Sequence, residues 1–198
     1  MKAELIIAGF GGQGVLFAGQ LLAHAALNAG LQTTWYPSYG PEMRGGTASC
    51  TVVISDEPIG SPVVARPQAA IVLNLPSLER YEPLVRPGGL LIVNASLIDR
   101  EVRRDDLDVI EIAADDVAAE LGDPRLTNMV LVGALLARQP LFTQEHVMAT
   151  LERVLPERHR RLLPANRAAL ARGSELALAA ERAHGAVAEH GETAASGS

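Results

Sequence analysis

The chain has 198 residues, 48% of them hydrophobic, which bounds it to one α/β-sized domain with enough apolar material for a real core. Its 23 acidic and 17 basic residues give a net charge of −6, which argues against nucleic acid as the main partner, and three Phe, one Trp and three Tyr are too few for a base-stacking surface. No apolar run approaches the roughly 18–20 residues of a membrane span, and Met1–Glu4 carries no signal-peptide pattern, so the sequence predicts a cytoplasmic chain with no membrane partner.

Cys50 is the single cysteine. It cannot form an internal disulfide, nor hold an iron–sulfur cluster, which takes about four thiolates. His24, His146, His159, His184 and His190 show no zinc-ligand spacing. No metal site is expected on this chain.

In chain order, Lys2–Ala8 reads as a buried central strand. Gly9-Phe10-Gly11-Gly12-Gln13-Gly14 follows as a turn, and apolar residues at helical spacing then run to about Ala29, with Gly30 as a left-handed cap. Leu31–Tyr36 reads as a second strand ended by Pro37, and Ser38–Gly46 breaks all regular structure. Thr47–Ser55 is strongly β in propensity, and Asp56–Pro67 is loop. Short strands at Ala69–Leu73, Leu90–Val93 and Val109–Ile112 alternate with helices at Ser77–Leu84 and Asp115–Leu121. Thr127–Arg138 is a helix apolar nearly all round, and Gln144–Val154 and Ala165–Ala183 are amphipathic helices. The fold class is therefore α/β: a Rossmann-like, layered, mostly parallel sheet with flanking helices and the C-terminal helices packed on it. Residues 1–183 form one domain, and 184–198 read as a disordered tail.

Gly9, Gly11 and Gly14 fit the G-x-G-x-x-G spacing of a phosphate-cradling turn between strand and helix. The alternative is a tight strand–helix turn that binds nothing. A dinucleotide site further requires an acid about 20 residues on to hold the ribose. None occurs between Glu4 and Glu42, and no Lys or Arg lies between Lys2 and Arg44 to take a 2′-phosphate. The turn is not a Walker loop either, since no Lys-Ser/Thr follows it.

In a parallel sheet the Ser38–Gly46 loop leaves the same strand edge as the glycine turn, the edge where doubly wound folds bind ligands. Tyr39, Met43 and Arg44 offer there a ring, a soft apolar arm and a guanidinium; Arg44 equally suits a surface ion pair with Glu42. Asn74 and Asn94 lie just past strand ends, either facing that rim or capping turns. No Ser/His/Asp set, Cys/His pair or paired carboxylates accompany the turn. Binding chemistry without a reacting group suggests a subunit whose chemistry happens on a partner.

The strings Gly9–Val15 and Ser38–Gly46, continued through Thr47–Val64 and to Asn128, resemble the gamma subunit of 2-oxoacid:ferredoxin oxidoreductases, over roughly residues 3–180. The loop is most similar to that of 2-oxoglutarate-type subunits, and pyruvate, branched-chain and indolepyruvate relatives share much of the pattern. The resemblance implies a subunit of an enzyme that oxidatively decarboxylates a 2-oxoacid, forms acyl-coenzyme A and reduces ferredoxin. It implies thiamine diphosphate and [4Fe-4S] clusters on alpha, beta and, in some enzymes, delta partner subunits, and an inactive isolated chain. Gly9, Gly11, Gly12, Gln13, Gly14 and Asn128 would approach coenzyme A, with Asn74 and Asn94 nearby. Ser38, Tyr39, Met43 and Arg44 would sit at the subunit interface. A purely structural subunit and another kind of nucleotide-binding domain are the competing readings.

Overall fold

The computed structural model describes residues 1–39 and 46–195. Met43 and Arg44, singled out in the loop, lie outside the described residues. The chain runs β1 (Lys2–Phe10), α1 (Val15–Asn28), β2 (Gln32–Tyr39), β3 (Thr47–Ser55), β4 (Ala69–Val72), α2 (Leu75–Tyr81), β5 (Leu90–Asn94), β6 (Asp108–Ile112), α3 (Ala114–Glu120), α4 (Thr127–Arg138), α5 (Gln144–Val154) and α6 (Leu163–Ala195).

One six-stranded sheet has the order β2-β3-β1-β4-β5-β6. β1, β4, β5 and β6 pair in parallel, while β3 is antiparallel to both β1 and β2. The expected mostly parallel sheet is therefore present, with β3 as its one reversed strand among the described residues. That reversal has a consequence for function. β2 runs with β1 and β3 runs back, so the segment joining them begins and ends at the rim where β1 delivers the glycine turn.

Alternation along β1 feeds both faces of the sheet. Ala3, Leu5 and Ile7 join the larger core with α1, α4, α5 and α6, whereas Ile6 and Ala8 join the smaller core beneath α2. β4 and β5 are buried along their whole length, which explains their unbroken apolar runs. α1 lies close on the sheet at Gly19, where a Cβ would strike the Cys50 sulfur and the Trp35 ring. α4 and α6 cross in backbone contact. A Cβ on Gly133 would meet the Leu170 carbonyl, and one on Gly173 the Val130 carbonyl. This accounts for the all-round apolar α4: its Asn128–Leu136 stretch is entirely buried.

Two boundaries differ from the sequence expectation. β2 does not stop at Pro37 but continues to Tyr39, with Pro37 opposite Cys50. β2 is an edge strand, and an edge position tolerates a residue that cannot donate to a ladder. α6 runs as helix to Ala195, beyond the Ala183 limit expected for that helix. The alanine content of residues 184–195 favours helix and outweighs Gly185 and Gly191.

The connection between β5 and β6 is clamped from α2's end. Glu82, 3% exposed, accepts from Arg100 Nη2 at 2.7 Å and from the backbone N–H of Arg103 and Arg104 at 2.5 and 3.0 Å. Burial pushes its pKa up, but these donors together more than reverse that and hold it below the usual glutamate value. No helix among the described residues is long and apolar enough to cross a membrane.

Candidate functional site

The glycine turn is built by unequal contributions. Gly9 is forced by packing: a Cβ there would lie 2.7 Å from Gln13 Oε1 and 2.9 Å from the Val15 side chain. Gly14, the N-cap of α1, has φ 74°, and its Cβ would collide with the Asn128 amide. Gly12 has φ 101° and faces open space. Gly11 differs from all three. Its φ is not positive, and the nearest described atom to a Cβ is the Gly46 carbonyl at 3.8 Å. Among the described residues nothing requires glycine at 11. α1 begins here with no acidic residue in its first turn and no side-chain cap. Its first N–H groups lack intrahelical partners, as at any helix start.

The second loop joins the first directly. Gly11 N–H donates to Gly46 O at 3.0 Å, and Phe10 pairs with Thr47. The described end of the second string, Gly46, thus meets the glycine turn.

Beneath the turn lies a circuit of polar side chains along the C-terminal ends of the strands. Gln13 Oε1 accepts from Phe10 N at 2.6 Å and from Asn74 Nδ2 at 3.4 Å, while Gln13 Nε2 reaches Leu73 O at 3.5 Å. Asn94 Nδ2 also donates to Leu73 O, at 3.4 Å, and to Asp115 Oδ2, at 3.3 Å. Thr127 Oγ1 donates to Asp115 Oδ1 at 2.6 Å. Asn128, next along α4, returns the circuit to the turn by donating to Gly14 O at 3.1 Å. Each link is a modest hydrogen bond, worth about 1 kcal/mol net, but most are screened from water and share partners. The circuit fixes the turn against β4, β5, α3 and α4 at once.

Two of the asparagines make cap bonds. Asn74, 2% exposed, caps α2 by accepting from Ser77 N at 2.9 Å. Asn94 is fully buried and also accepts from Ala114 N at 3.1 Å. Both serve the scaffold as caps. Gln13 likewise spends its amide on the turn. Sequence reasoning missed Asp115 and Thr127 as members of the circuit. Asp115 reads in the sequence as a helix-dipole acid, and only the proximity of α4 shows its second role.

A cavity of about 410 Å³ opens between this circuit and the C-terminal helices. It is lined by Gly12, Gln13, Gly14 and Phe17 from the turn and α1, by Asp115, Thr127 and Asn128 from α3 and α4, and by Leu155, Leu162 and Asn166 from the C-terminal part. Asn128 is 6% exposed, and its Oδ1 has no partner among the described residues. Asp123, also lining the cavity, is held below its ordinary pKa by hydrogen bonds from the Arg125 side chain, which it meets at 2.7 Å. Ser38 and Tyr39 do not join this cavity. They line a separate hollow of about 220 Å³ on the α2 side, with Ser49, Arg80 and Tyr81. Tyr39 is 70% exposed at the rim.

Cys50 lies in the core, 1% exposed, and burial pushes its thiol up to about 11. Such a thiol is neither a nucleophile nor a cluster ligand, and one sulfur does not meet a cluster's ligand set. Among the described residues no three His, Cys, Asp or Glu side chains converge as a metal site. The chain's own donor chemistry therefore does not fit an iron–sulfur cluster.

A glycine turn at the strand ends, braced from below and beside a cavity, defines an α/β domain with the strand–turn–helix arrangement common to nucleotide-binding folds. The chain belongs to the pyruvate ferredoxin/flavodoxin oxidoreductase family, which matches residues 4–176. It is 45% identical over 136 residues to the ketoisovalerate oxidoreductase subunit VorA of Methanothermobacter marburgensis, covering 69% of this chain and 28% of VorA. The chain thus spans under a third of the VorA relatives' length. It is 34% identical to the 2-oxoglutarate synthase subunit KorC of Methanocaldococcus jannaschii, covering 73% of this chain and 79% of KorC. The gamma subunit of a keto/oxoacid ferredoxin oxidoreductase from Geobacter sulfurreducens superposes with a TM-score of 0.79 at 28% identity, over 90% of this chain and 98% of that one. A 2-oxoglutarate:ferredoxin oxidoreductase from Magnetococcus marinus, solved with 2-oxoglutarate, coenzyme A and succinyl-CoA bound, shares the fold. Its TM-score is 0.82 at 23% identity, over 90% of this chain and 31% of that one.

Proposed function

We propose that this chain is the gamma subunit of a 2-oxoacid:ferredoxin oxidoreductase and helps bind coenzyme A for the formation of acyl-coenzyme A. The observation that carries the coenzyme A part is Gly11. Neither its φ nor any described neighbour requires glycine, and at its neighbour Gly12 no described atom lies within 4 Å of a Cβ. A backbone bare at that point suits close approach by a ligand. In this reading Gly11 and Gly12 meet coenzyme A, Gly9, Gln13 and Gly14 shape the turn, and Asn128 braces it. Ser38 and Tyr39 face a partner subunit, together with Met43 and Arg44.

The buried Cys50 supports a division of labour in which clusters, thiamine diphosphate and the 2-oxoacid site belong to alpha, beta and, where present, delta subunits. On those partners thiamine diphosphate would supply the carbanion chemistry of decarboxylation, releasing carbon dioxide, and the oxidised acyl group would be taken up by the coenzyme A thiol. This chain's residues would hold the coenzyme, and ferredoxin would take the electrons elsewhere in the complex. The proposed site of action is the cytoplasm.

As the 2-oxoacid we propose 2-oxoglutarate, supported by the KorC relative, which this chain matches over most of its length. A branched-chain 2-oxoacid is the second reading, favoured by the higher identity to VorA. Co-expression with thiamine-binding and ferredoxin-like subunits tests both. The assembled complex is expected to reduce ferredoxin with 2-oxoglutarate and coenzyme A, while the chain alone does neither. Turnover of 3-methyl-2-oxobutanoate in place of 2-oxoglutarate would select the second reading. Turnover by the isolated chain would refute both.

A further inference from the structure

A guanidinium has two forked edges, Nε with Nη2 and Nη1 with Nη2, and a carboxylate or phosphate can take either one bidentately. Arg100, Arg104, Arg125 and Arg138 each meet a carboxylate at 2.6–2.7 Å. In three of them Nη1 is also in use. Arg100 Nη1 donates to Glu101 O at 2.7 Å, Arg104 Nη1 to Glu82 O and Val85 O, and Arg138 Nη1 meets Glu181 at 3.5 Å. Arg125 differs. Its Nε donates to both oxygens of Asp123, at 2.9 and 3.2 Å, and its Nη2 to Asp123 Oδ2 at 2.7 Å, while its Nη1 has no partner among the described residues.

Arg125 is also the one cation among the residues that line the 410 Å³ cavity beside the glycine turn; the other charged groups there are Asp115 and Asp123. It stands three residues before Asn128, whose amide is bonded to Gly14 O, so guanidinium and turn border the same cavity. Asp123 is anchored: its side chain is 16% exposed, and it accepts from the backbone N–H of Arg125 at 3.0 Å. The Arg125 side chain is 73% exposed. The pair thus turns its positive member outward and its negative member inward. A pair this exposed adds little to stability. Its effect is to hold the guanidinium in one orientation, so that the remaining edge can bind with little further ordering of the side chain. The Asp115 carboxylate is engaged by Thr127 and Asn94 and offers an anion no positive charge.

Resting on the coenzyme A reading above, we infer that the Nη1–Nη2 edge of Arg125 binds a phosphoryl group of the ligand at this cavity, with Asp123 positioning the guanidinium. Two oxygens of one phosphoryl group match the two N–H donors of that edge. In coenzyme A the group comes from either the diphosphate or the 3′-phosphate.

Equilibrium dialysis of the assembled complex with coenzyme A and with 3′-dephospho-coenzyme A tests this, on the wild type, Arg125→Ala and Arg125→Lys. Arg172→Ala is the control: it removes the same charge at a residue that pairs with Glu175 and does not line the cavity. Arg125→Ala is expected to bind coenzyme A roughly 10–100-fold more weakly than wild type. Arg125→Lys keeps the charge but not the fork and is expected to lose roughly threefold to tenfold. Arg172→Ala should stay within about twofold of wild type. An equal loss for both ligands in Arg125→Ala supports the inference with the diphosphate as the bound group. A loss for coenzyme A alone, in a variant that no longer discriminates the two ligands, supports it with the 3′-phosphate. An unchanged coenzyme A affinity in an assembled Arg125→Ala complex overturns the inference and leaves the coenzyme A reading standing. An equal loss in Arg172→Ala overturns it too, since net charge alone would then govern affinity. So does loss of assembly in Arg125→Ala with wild-type affinity in Arg125→Lys, because the residue would then dock a subunit. Failure of the wild type to bind coenzyme A overturns the coenzyme A reading and this inference with it.

Discussion

Two alanine substitutions three residues apart separate the scaffold of the turn from its binding surface. Gly14→Ala forces a Cβ into a left-handed backbone position, φ 74°, at a cost of about 1–2 kcal/mol. The new methyl also displaces the Asn128 amide, which a Cβ at that position would strike. That breaks the 3.1 Å bond from Asn128 to Gly14 O and strands a side chain only 6% exposed, for about 1–2 kcal/mol more. The sum is about 2–4 kcal/mol. At about 2–4 °C per kcal/mol for a domain of this size, Tm should fall by roughly 5–15 °C. Gly11→Ala meets neither penalty, and its Tm should stay within about 2 °C of wild type. The same variant should raise the KM for coenzyme A in the assembled enzyme, because the methyl would stand where the coenzyme approaches. Differential scanning fluorimetry of both variants, followed by coenzyme A titration of the reconstituted complex, provides the check. Equal destabilisation by the two substitutions would refute the assignment of Gly14 to the scaffold and Gly11 to the surface.

Three further outcomes follow from the packing and the titrating groups. Gly173→Ala should drive α6 away from the Val130 carbonyl and lower stability by about 1–3 kcal/mol, measured by urea denaturation; a neutral result would contradict the backbone contact of α4 and α6. Glu82, whose folded pKa is lowered, contributes stability that is full above the unfolded glutamate range and is lost as pH falls through the lowered folded value. Glu82→Gln should therefore cost about 2–4 kcal/mol at neutral pH and flatten the acid limb of the stability curve. An unchanged acid limb in that variant would show that other carboxylates govern it. Cys50, buried with its thiol near 11, should resist iodoacetamide at pH 8 in the native state and react only on denaturation, as mass spectrometry would record.

Much of this architecture is legible before any coordinates, because the signals are local. Apolar runs bounded by glycine and asparagine locate β1, β4 and β5, and the helix limits of α4 and α5 follow from periodicity and their flanking residues. The position of β3 is not legible in this way. Its β propensity is plain, yet insertion between β1 and β2 in the reverse direction depends on partners far along the chain. The continuation of β2 through Pro37 has the same origin, since only the sheet order shows that the strand is an edge. At the site, the glycine spacing locates the turn but does not sort its residues. Steric environment does that: Gly9 and Gly14 answer to Val15, Gln13 and Asn128, and Gly11 answers to nothing described. Asp115 and Thr127, twelve residues apart in sequence, meet only because α3 and α4 converge below the turn.

The central claim is that coenzyme A lies on this chain. Hydrogen exchange of the assembled complex, with and without coenzyme A, tests it most directly. Amides of Gly11–Phe17 are expected to gain protection when the coenzyme binds. Protection confined to the partner subunits, with this segment unchanged, would contradict the claim.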